Sequence, residues 1–159
     1  MYLDMQASTC GQNEARSFRL RHPHIVQLLD FGIANADIPF LVMDYAPGGS
    51  LNQRHLHGEQ LSLDNIVDYV KQIASALQYA HDQHVIHRDV KPENMLFGKN
   101  NAILMSDFGI AVMVHGTRSG TGQNIAGTAF YIAPEQFRGR AEPASDQYAL
   151  AVVVYEWLC

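Results

Sequence analysis

Apolar residues first gather in short runs along this chain and later recur at helical spacing. Ile25–Val26 and Leu28–Leu29 lead into Phe31–Gly32, and Phe40–Leu41–Val42–Met43 forms a second run. The intervening Ala34-Asn-Ala-Asp37 is turn-like, so the two runs predict an antiparallel hairpin. Ahead of them, residues 14–21 predict a short helix, while residues 1–13 are mixed and polar. Ala46-Pro-Gly-Gly-Ser50 breaks the pattern as a linker does. Beyond it, Ile66, Val67, Val70, Ile73, Ala74 and Leu77 predict a helix over about residues 62–84 with one apolar face. Ser62 is a suitable N-cap, and Asp64 puts negative charge in the first turn, where the helix dipole favours it.

The character changes after His87. Met95–Leu96–Phe97 and Ile103–Leu104–Met105 flank Gly98-Lys-Asn-Asn101, which predicts a second, shorter hairpin. Residues 106–145 are rich in Gly, Ser and Thr with little periodicity, the mark of a functional or mobile loop. Asp146 to Leu158 is apolar nearly all round and predicts a buried helix, although Val152–Val154 equally suits the opening of a buried strand.

With 159 residues, 47% apolar and 17% charged, the chain suffices for one compact domain with a core and does not read as disordered. Its net charge of −5 and the lack of any Lys/Arg cluster exclude a general attraction to nucleic acid or acidic membranes. Cys10 and Cys159 lie near opposite ends without a CxxC pattern and read as reduced thiols of a cytoplasmic protein. Met1 to Asn13 does not read as a signal peptide. The longest apolar stretch, Ala149 to Tyr155, is far short of the roughly 20 residues that cross a bilayer, so no membrane segment is expected in this chain. His81, His84 and His87 are spaced by three, and His22/His24 and His55/His57 by two. No Cys or carboxylate pattern of a zinc motif accompanies them, so they are not read as a metal site.

Candidate chemistry concentrates in His87-Arg-Asp-Val-Lys-Pro-Glu-Asn94, Ser106-Asp-Phe-Gly109 and Ala133-Pro-Glu135. Asp89 and Asn94 are five residues apart, and Asp107 follows the second hairpin. A hairpin returns its ends to one place, so Asp89, Lys91, Asn94 and Asp107 are expected to converge. Two carboxylates, an amide oxygen and an ammonium group suit phosphoryl transfer. Oxygen ligands hold Mg²⁺, a cation neutralises the moving phosphoryl group, and a carboxylate orients the attacking hydroxyl.

From about Glu14 to Leu158 the chain resembles the catalytic domain of bacterial-type protein serine/threonine kinases, on these motifs in this order. The resemblance implies an α+β, two-lobe fold. A partial small lobe with one helix and a β-hairpin, plus the hinge, would occupy residues 1–46. An incomplete, mainly helical lobe would occupy 47–159. It implies ATP and Mg²⁺ as cofactors, proteins bearing Ser/Thr hydroxyls as substrates, and a cytoplasmic location. Asp89 would be the catalytic base, Lys91 would contact the γ-phosphate, and Asn94 and Asp107 would hold magnesium. Met43 would guard the back of the adenine pocket, the backbones of Asp44 and Ala46 would meet adenine edges, and Leu96 would lie beneath the ring. Lys91, two residues after Asp89, and Thr128 mark the serine/threonine class. Asp146 would tie the catalytic loop's backbone to the helix beneath it, and His87 would pack under Phe108. Arg88 would bind a phosphate on an activation loop from Ile110 to Ile132, which offers Thr117, Ser119, Thr121 and Thr128.

The family pattern also includes a Gly-rich strand-loop-strand and a lysine-bearing strand ahead of these motifs. Neither is found in these 159 residues, whose lysines are Lys71, Lys91 and Lys99. Glu14 resembles the helix glutamate that pairs with that lysine, but it lies one residue closer to His22-Pro23 than the pattern asks, about 100° of helix turn. Glu135 likewise has no Arg after it of the kind that pairs with it in the family. The sequence thus reads as a kinase segment truncated at both ends, or as an inactive binding or regulatory module. These 159 residues alone are expected to bind nucleotide weakly and to transfer no measurable phosphate. A thermal-shift titration with Mg-ATP and a radiolabelled-ATP assay check this. Large saturable stabilisation at micromolar nucleotide, or transfer that Asp107→Asn abolishes, overturns it.

Overall fold

The computed structural model describes residues 20–34, 38–55, 59–108 and 129–159. Strands β1 (Leu28–Ala34) and β2 (Ile38–Met43) form the predicted antiparallel hairpin, in register from Leu28↔Met43 to Ala34↔Ile38, with an irregularity between Leu28 and Asp30. Ile25 and Val26 are not part of it. They are buried against a later strand, where the Val26 N–H donates to the Met105 carbonyl (2.9 Å) and the Met105 N–H to the His24 carbonyl (2.9 Å). This pair of bonds docks the hairpin's root on the rest of the molecule. The predicted first helix falls almost wholly outside the described residues, as does most of the hairpin turn.

The Ala46–Ser50 segment is tied down rather than a loose linker. The Gly48 N–H donates to the Phe97 carbonyl (2.9 Å), and the Phe97 N–H donates to the Gly49 carbonyl (2.8 Å). The chain passes so close to Phe97 that a Cβ on Gly48 would lie 2.4 Å from the Phe97 Cβ and 2.8 Å from its carbonyl oxygen. Gly49 has φ +73°, a conformation that costs glycine little and other residues more. Ser50 then caps the one-turn helix α1 (Leu51–Arg54) through a reciprocal box with Gln53.

Helix α2 (Leu63–Asp82) begins where its cap predicts, with the Asn65 N–H donating to the Ser62 hydroxyl (3.3 Å). Its buried face differs from the predicted one. Ile66, Tyr69, Ile73, Ala76, Leu77 and Ala80 are buried, while Val67 is 49% exposed and Ala74 faces solvent. The observed stripe keeps the three-and-four spacing but turns toward Tyr69, whose aromatic ring outweighs the two smaller side chains in area removed from water.

The second hairpin joins β3 (Met95–Phe97) to β4 (Ile103–Met105). Its turn uses Asn100 and Asn101 at φ 57° and 58°, the left-handed region that Asn tolerates better than most residues. Strand alternation buries Met95, Phe97, Ile103 and Met105 and leaves Leu96 and Leu104 half-buried on the opposite face. The Gln72 amide oxygen accepts the Ile103 N–H (2.8 Å), anchoring the hairpin on α2.

The last segment is helix α3 (Pro143–Leu158), which settles the helix-or-strand alternative. It starts three residues before the predicted Asp146. Pro143 sits at the first helical position, where its missing N–H costs nothing, and the Glu142 N–H donates to the Ser145 hydroxyl (3.1 Å). Tyr69 meets Phe97 and Trp157 edge-on, at centroid distances of 5.7 and 6.0 Å, so one aromatic side chain of α2 joins β3 to α3.

Gly48→Ala tests the close crossing over Phe97. The added methyl has no room without backbone movement, so a loss of about 1–3 kcal/mol is expected in urea unfolding. A midpoint equal to the wild type's would show that the crossing is loose.

Candidate active site

One buried carboxylate organises the loop that holds the candidate catalytic residues. Asp146, on the first turn of α3, is 1% exposed. Its Oδ2 accepts the His87 N–H (2.9 Å) and lies 2.7 Å from His81 Nε2, and its Oδ1 accepts the Arg88 N–H (2.8 Å). Arg88 stands at φ 72°, a left-handed conformation that costs a non-glycine residue roughly 1–2 kcal/mol. A hydrogen bond to a charged group contributes roughly 1.5–3 kcal/mol, so the carboxylate offsets the strain it imposes.

His87 is fully buried against the Phe108 ring, at 4.5 Å between centroids. Its Nε2 lies 2.9 Å from the Ser106 carbonyl, and its Nδ1 accepts the Asp89 N–H (3.3 Å). That acceptor role assigns the proton to Nε2. Burial pushes the His87 pKa below its ordinary value, while Asp146 and Asp89 pull weakly the other way.

Asp89, Lys91 and Asn94 meet directly. Lys91 Nζ is 2.7 Å from Asp89 Oδ2, and Asn94 Nδ2 donates to the same oxygen (3.0 Å) and to the Asp89 carbonyl (2.8 Å). A 3₁₀ turn at Pro92–Asn94 makes this possible, because it brings Asn94, five residues on, back over Asp89. Asp107 is linked through Ser106. The Ser106 N–H donates to the Asn94 carbonyl (2.9 Å), and its hydroxyl lies 3.3 Å from that carbonyl and 3.4 Å from Asp107 Oδ2. Asp107 also has positive φ, 63°, so two candidate loops each carry a left-handed residue. With Asn94 Nδ2 committed as a donor, the amide oxygen and the Asp107 carboxylate are hard oxygen ligands of the kind Mg²⁺ takes, and the donor set fits that ion.

The residues assigned to adenine come from the end of β2, the segment that follows it and β3. Met43 ends β2 and is partly exposed, Ala46 is half-buried, and Leu96 is on the face of β3 away from the core. The Asp44 N–H is already bonded to the Gln27 carbonyl (2.9 Å), which leaves its carbonyl to meet a ligand. Thr128, Gly109, Glu14 and the hydroxyls of the expected activation loop lie outside the described residues.

Four interactions around the site escaped sequence reasoning. Glu135 has a partner within this chain after all, the Ser145 hydroxyl, and this hydrogen bond holds its carboxyl below the usual range. The Gln136 carboxamide donates to the Arg88 carbonyl (3.0 Å) and accepts the Ala133 N–H (3.1 Å). His81 binds Asp146; its place four residues after Leu77, on the apolar side of α2, was the signal available, since a polar ring there needs a buried partner. The Tyr131 hydroxyl donates to Glu156 Oε2 on α3 (2.8 Å), and burial and that bond raise its pKa far above the usual value. Among the described residues, no group of three or more His, Cys, Asp or Glu side chains is placed to hold a metal ion. No helix among them is long and apolar enough to cross a membrane.

The hairpin, the helical body and a loop with this geometry define a protein-kinase fold, and comparison with known proteins agrees. The protein kinase domain profile matches residues 9–159, and the chain belongs to that family. It is 39% identical over 140 residues to Aurora kinase A-A of Xenopus laevis, covering 87% of this chain and 33% of that protein. It is 39% identical over 145 residues to serine/threonine-protein kinase PknB of Mycolicibacterium smegmatis, covering 87% of this chain and 23% of that one. With serine/threonine-protein kinase PrkC of Bacillus subtilis the identity is 36% over 140 residues, covering 87% and 22%. The chain thus spans a third or less of the length of these relatives, which are both bacterial and eukaryotic.

Neutral His87 gives a pH prediction. Above its unfolded pKa of about 6.5 neither state binds the proton; below it the unfolded chain does and folded His87 does not. Its contribution is therefore full above about pH 6.5 and is lost as pH falls toward the lowered folded value. His22, also lowered by burial and by His24, adds to the same slope. Urea midpoints between about pH 5 and 7.5 should fall less steeply in His87→Gln than in the wild type. Equal slopes would show that His87 takes up a proton in the fold.

Proposed function

We propose that the protein carrying this chain transfers the γ-phosphoryl group of ATP to Ser/Thr hydroxyls of other proteins. The observation that supports it most is the Asp89–Lys91–Asn94 cluster, joined through Ser106 to Asp107. In this reading Asp89 orients the acceptor hydroxyl and takes its proton late in a loose transition state. Lys91 neutralises charge on the moving group. Asn94 and Asp107 hold Mg²⁺, which with ATP supplies the phosphoryl group and the charge neutralisation around it. Leu96 forms the floor under adenine, Met43 closes the back of its pocket, and the Asp44 carbonyl and the Ala46 backbone meet its edge. The nucleotide then lies between a small lobe within residues 1–46 and a large one within 47–159. Reliance on ATP and the absence of a CxxC pattern support a cytoplasmic site of action. The matched relatives carry the printed name serine/threonine-protein kinase in two cases, which supports the choice of acceptor.

A second reading is a module that binds partners without turnover.

The full-length protein should be assayed with radiolabelled ATP and a generic Ser/Thr substrate, beside its Asp89→Asn and Asp107→Asn variants. Label should appear on Ser or Thr, and each variant should lower kcat by about 10²-fold or more. Wild-type label that survives both substitutions would refute the assignment. An absence of label under conditions where ATP binds would favour the second reading.

A further inference from the structure

We propose that Gln136 is a positioning residue, whose carboxamide clamps the segment after Ala133 to the backbone immediately before Asp89. The inference rests on the reading that Asp89 orients the acceptor hydroxyl. Gln136 Nε2 donates to the Arg88 carbonyl (3.0 Å), and its Oε1 accepts the N–H of Ala133 (3.1 Å), a fully buried residue. Arg88 is the strained residue of the loop, at φ 72°. Its N–H is held by Asp146 from α3 (2.8 Å), and its carbonyl is held by Gln136 from the turn that precedes α3. Both polar groups of one left-handed residue are thus fixed by side chains that come from separate elements. The next residue is Asp89, so the direction in which its carboxylate leaves the backbone depends on both anchors.

The Gln136 side chain is not needed to close its own turn. Backbone bonds do that: the Arg138 and Arg140 N–H groups donate to the Glu135 carbonyl (3.0 and 3.1 Å), and the Gly139 N–H donates to the Gln136 carbonyl (2.9 Å). The carboxamide is therefore available for the long-range pair, and a glutamine can serve it because one planar group offers a donor and an acceptor. Glutamate offers two acceptors, and leucine offers neither. The clamp touches none of the residues assigned to adenine or the metal. Its loss should therefore change turnover on the acceptor and leave nucleotide affinity alone.

The test uses the full-length protein, with Gln136→Leu and Gln136→Glu beside the wild type and Asp89→Asn. Two quantities are read: kcat with a Ser/Thr peptide together with KM for ATP, and amide hydrogen exchange at Ala133. Gln136→Leu should lower kcat by about tenfold or more with KM for ATP within about twofold, and should speed Ala133 exchange by about tenfold. Gln136→Glu keeps an acceptor for the Ala133 N–H but no donor for the Arg88 carbonyl. It should lose kcat like the leucine variant while keeping Ala133 protected. Unchanged kcat in either variant, or a loss confined to KM for ATP, overturns the proposal. If the wild type shows no Asp89-dependent transfer, the underlying reading fails by itself. The exchange measurement then decides the clamp: unaltered Ala133 exchange in Gln136→Leu refutes it, and faster exchange in that variant alone upholds it.

Discussion

Asp146 brings a negative charge into the interior, where an unpaired carboxylate is unstable by several kcal/mol. It is tolerated because two backbone N–H groups and an imidazole converge on its two oxygens. Those N–H groups belong to His87 and Arg88, and Arg88 is left-handed, at φ 72°, where its N–H is held. The carboxylate is thus worth more as a specification than as a stabiliser. It selects one conformation of the loop out of the many that a Gly-free stretch of this length otherwise samples. Everything downstream to Asn94 is built from that point, since the 3₁₀ turn starts only four residues after Arg88 and returns Asn94 to Asp89.

A second constraint comes from the aromatic cluster under the site. Phe97 is fully buried on β3, with Tyr69 at its edge and the Arg54 guanidinium 4.3 Å from its ring centroid. Its backbone receives and donates the two bonds that hold Gly48 and Gly49. The segment that leads out of the first hairpin is therefore registered against the same strand that carries Leu96 and follows Asn94. Packing at Phe97 and hydrogen bonding at Asp146 act on the two ends of one short stretch, and between them Lys91 and Asn94 have little freedom left.

The charged groups divide accordingly. The Asp89–Lys91 pair is part-exposed and contributes little to stability, as surface pairs do. The buried groups, Asp146 and neutral His87, carry the structural consequences, and their partners are mostly backbone. Reactivity and rigidity are thus assigned to neighbouring residues of a single loop. This is compatible with a site that must hold geometry while one carboxylate stays accessible to substrate.

Much of the fold could be read from local order. The cap at Ser62, the length of α2, the turn residues between β3 and β4 and the hairpin before Ala46 all rest on interactions within a few residues, and such interactions leave short-range patterns. The gathering of Asp89, Lys91 and Asn94 was legible for the same reason, and that of Asp107 because a hairpin brings back its ends. Where partners lie far apart the pattern failed. Periodicity alone could not choose Tyr69 over Val67 and Ala74, because the choice depended on Phe97 and Trp157, 28 and 88 residues later. Gln136 and Ser145 had no local signature, since a carboxamide or hydroxyl on a turn or helix start ordinarily faces water. The sequence by itself determined which elements form and which groups could do chemistry. Only the tertiary structure decided which distant donor satisfies each buried acceptor, because that depends on which segments the core brings into contact.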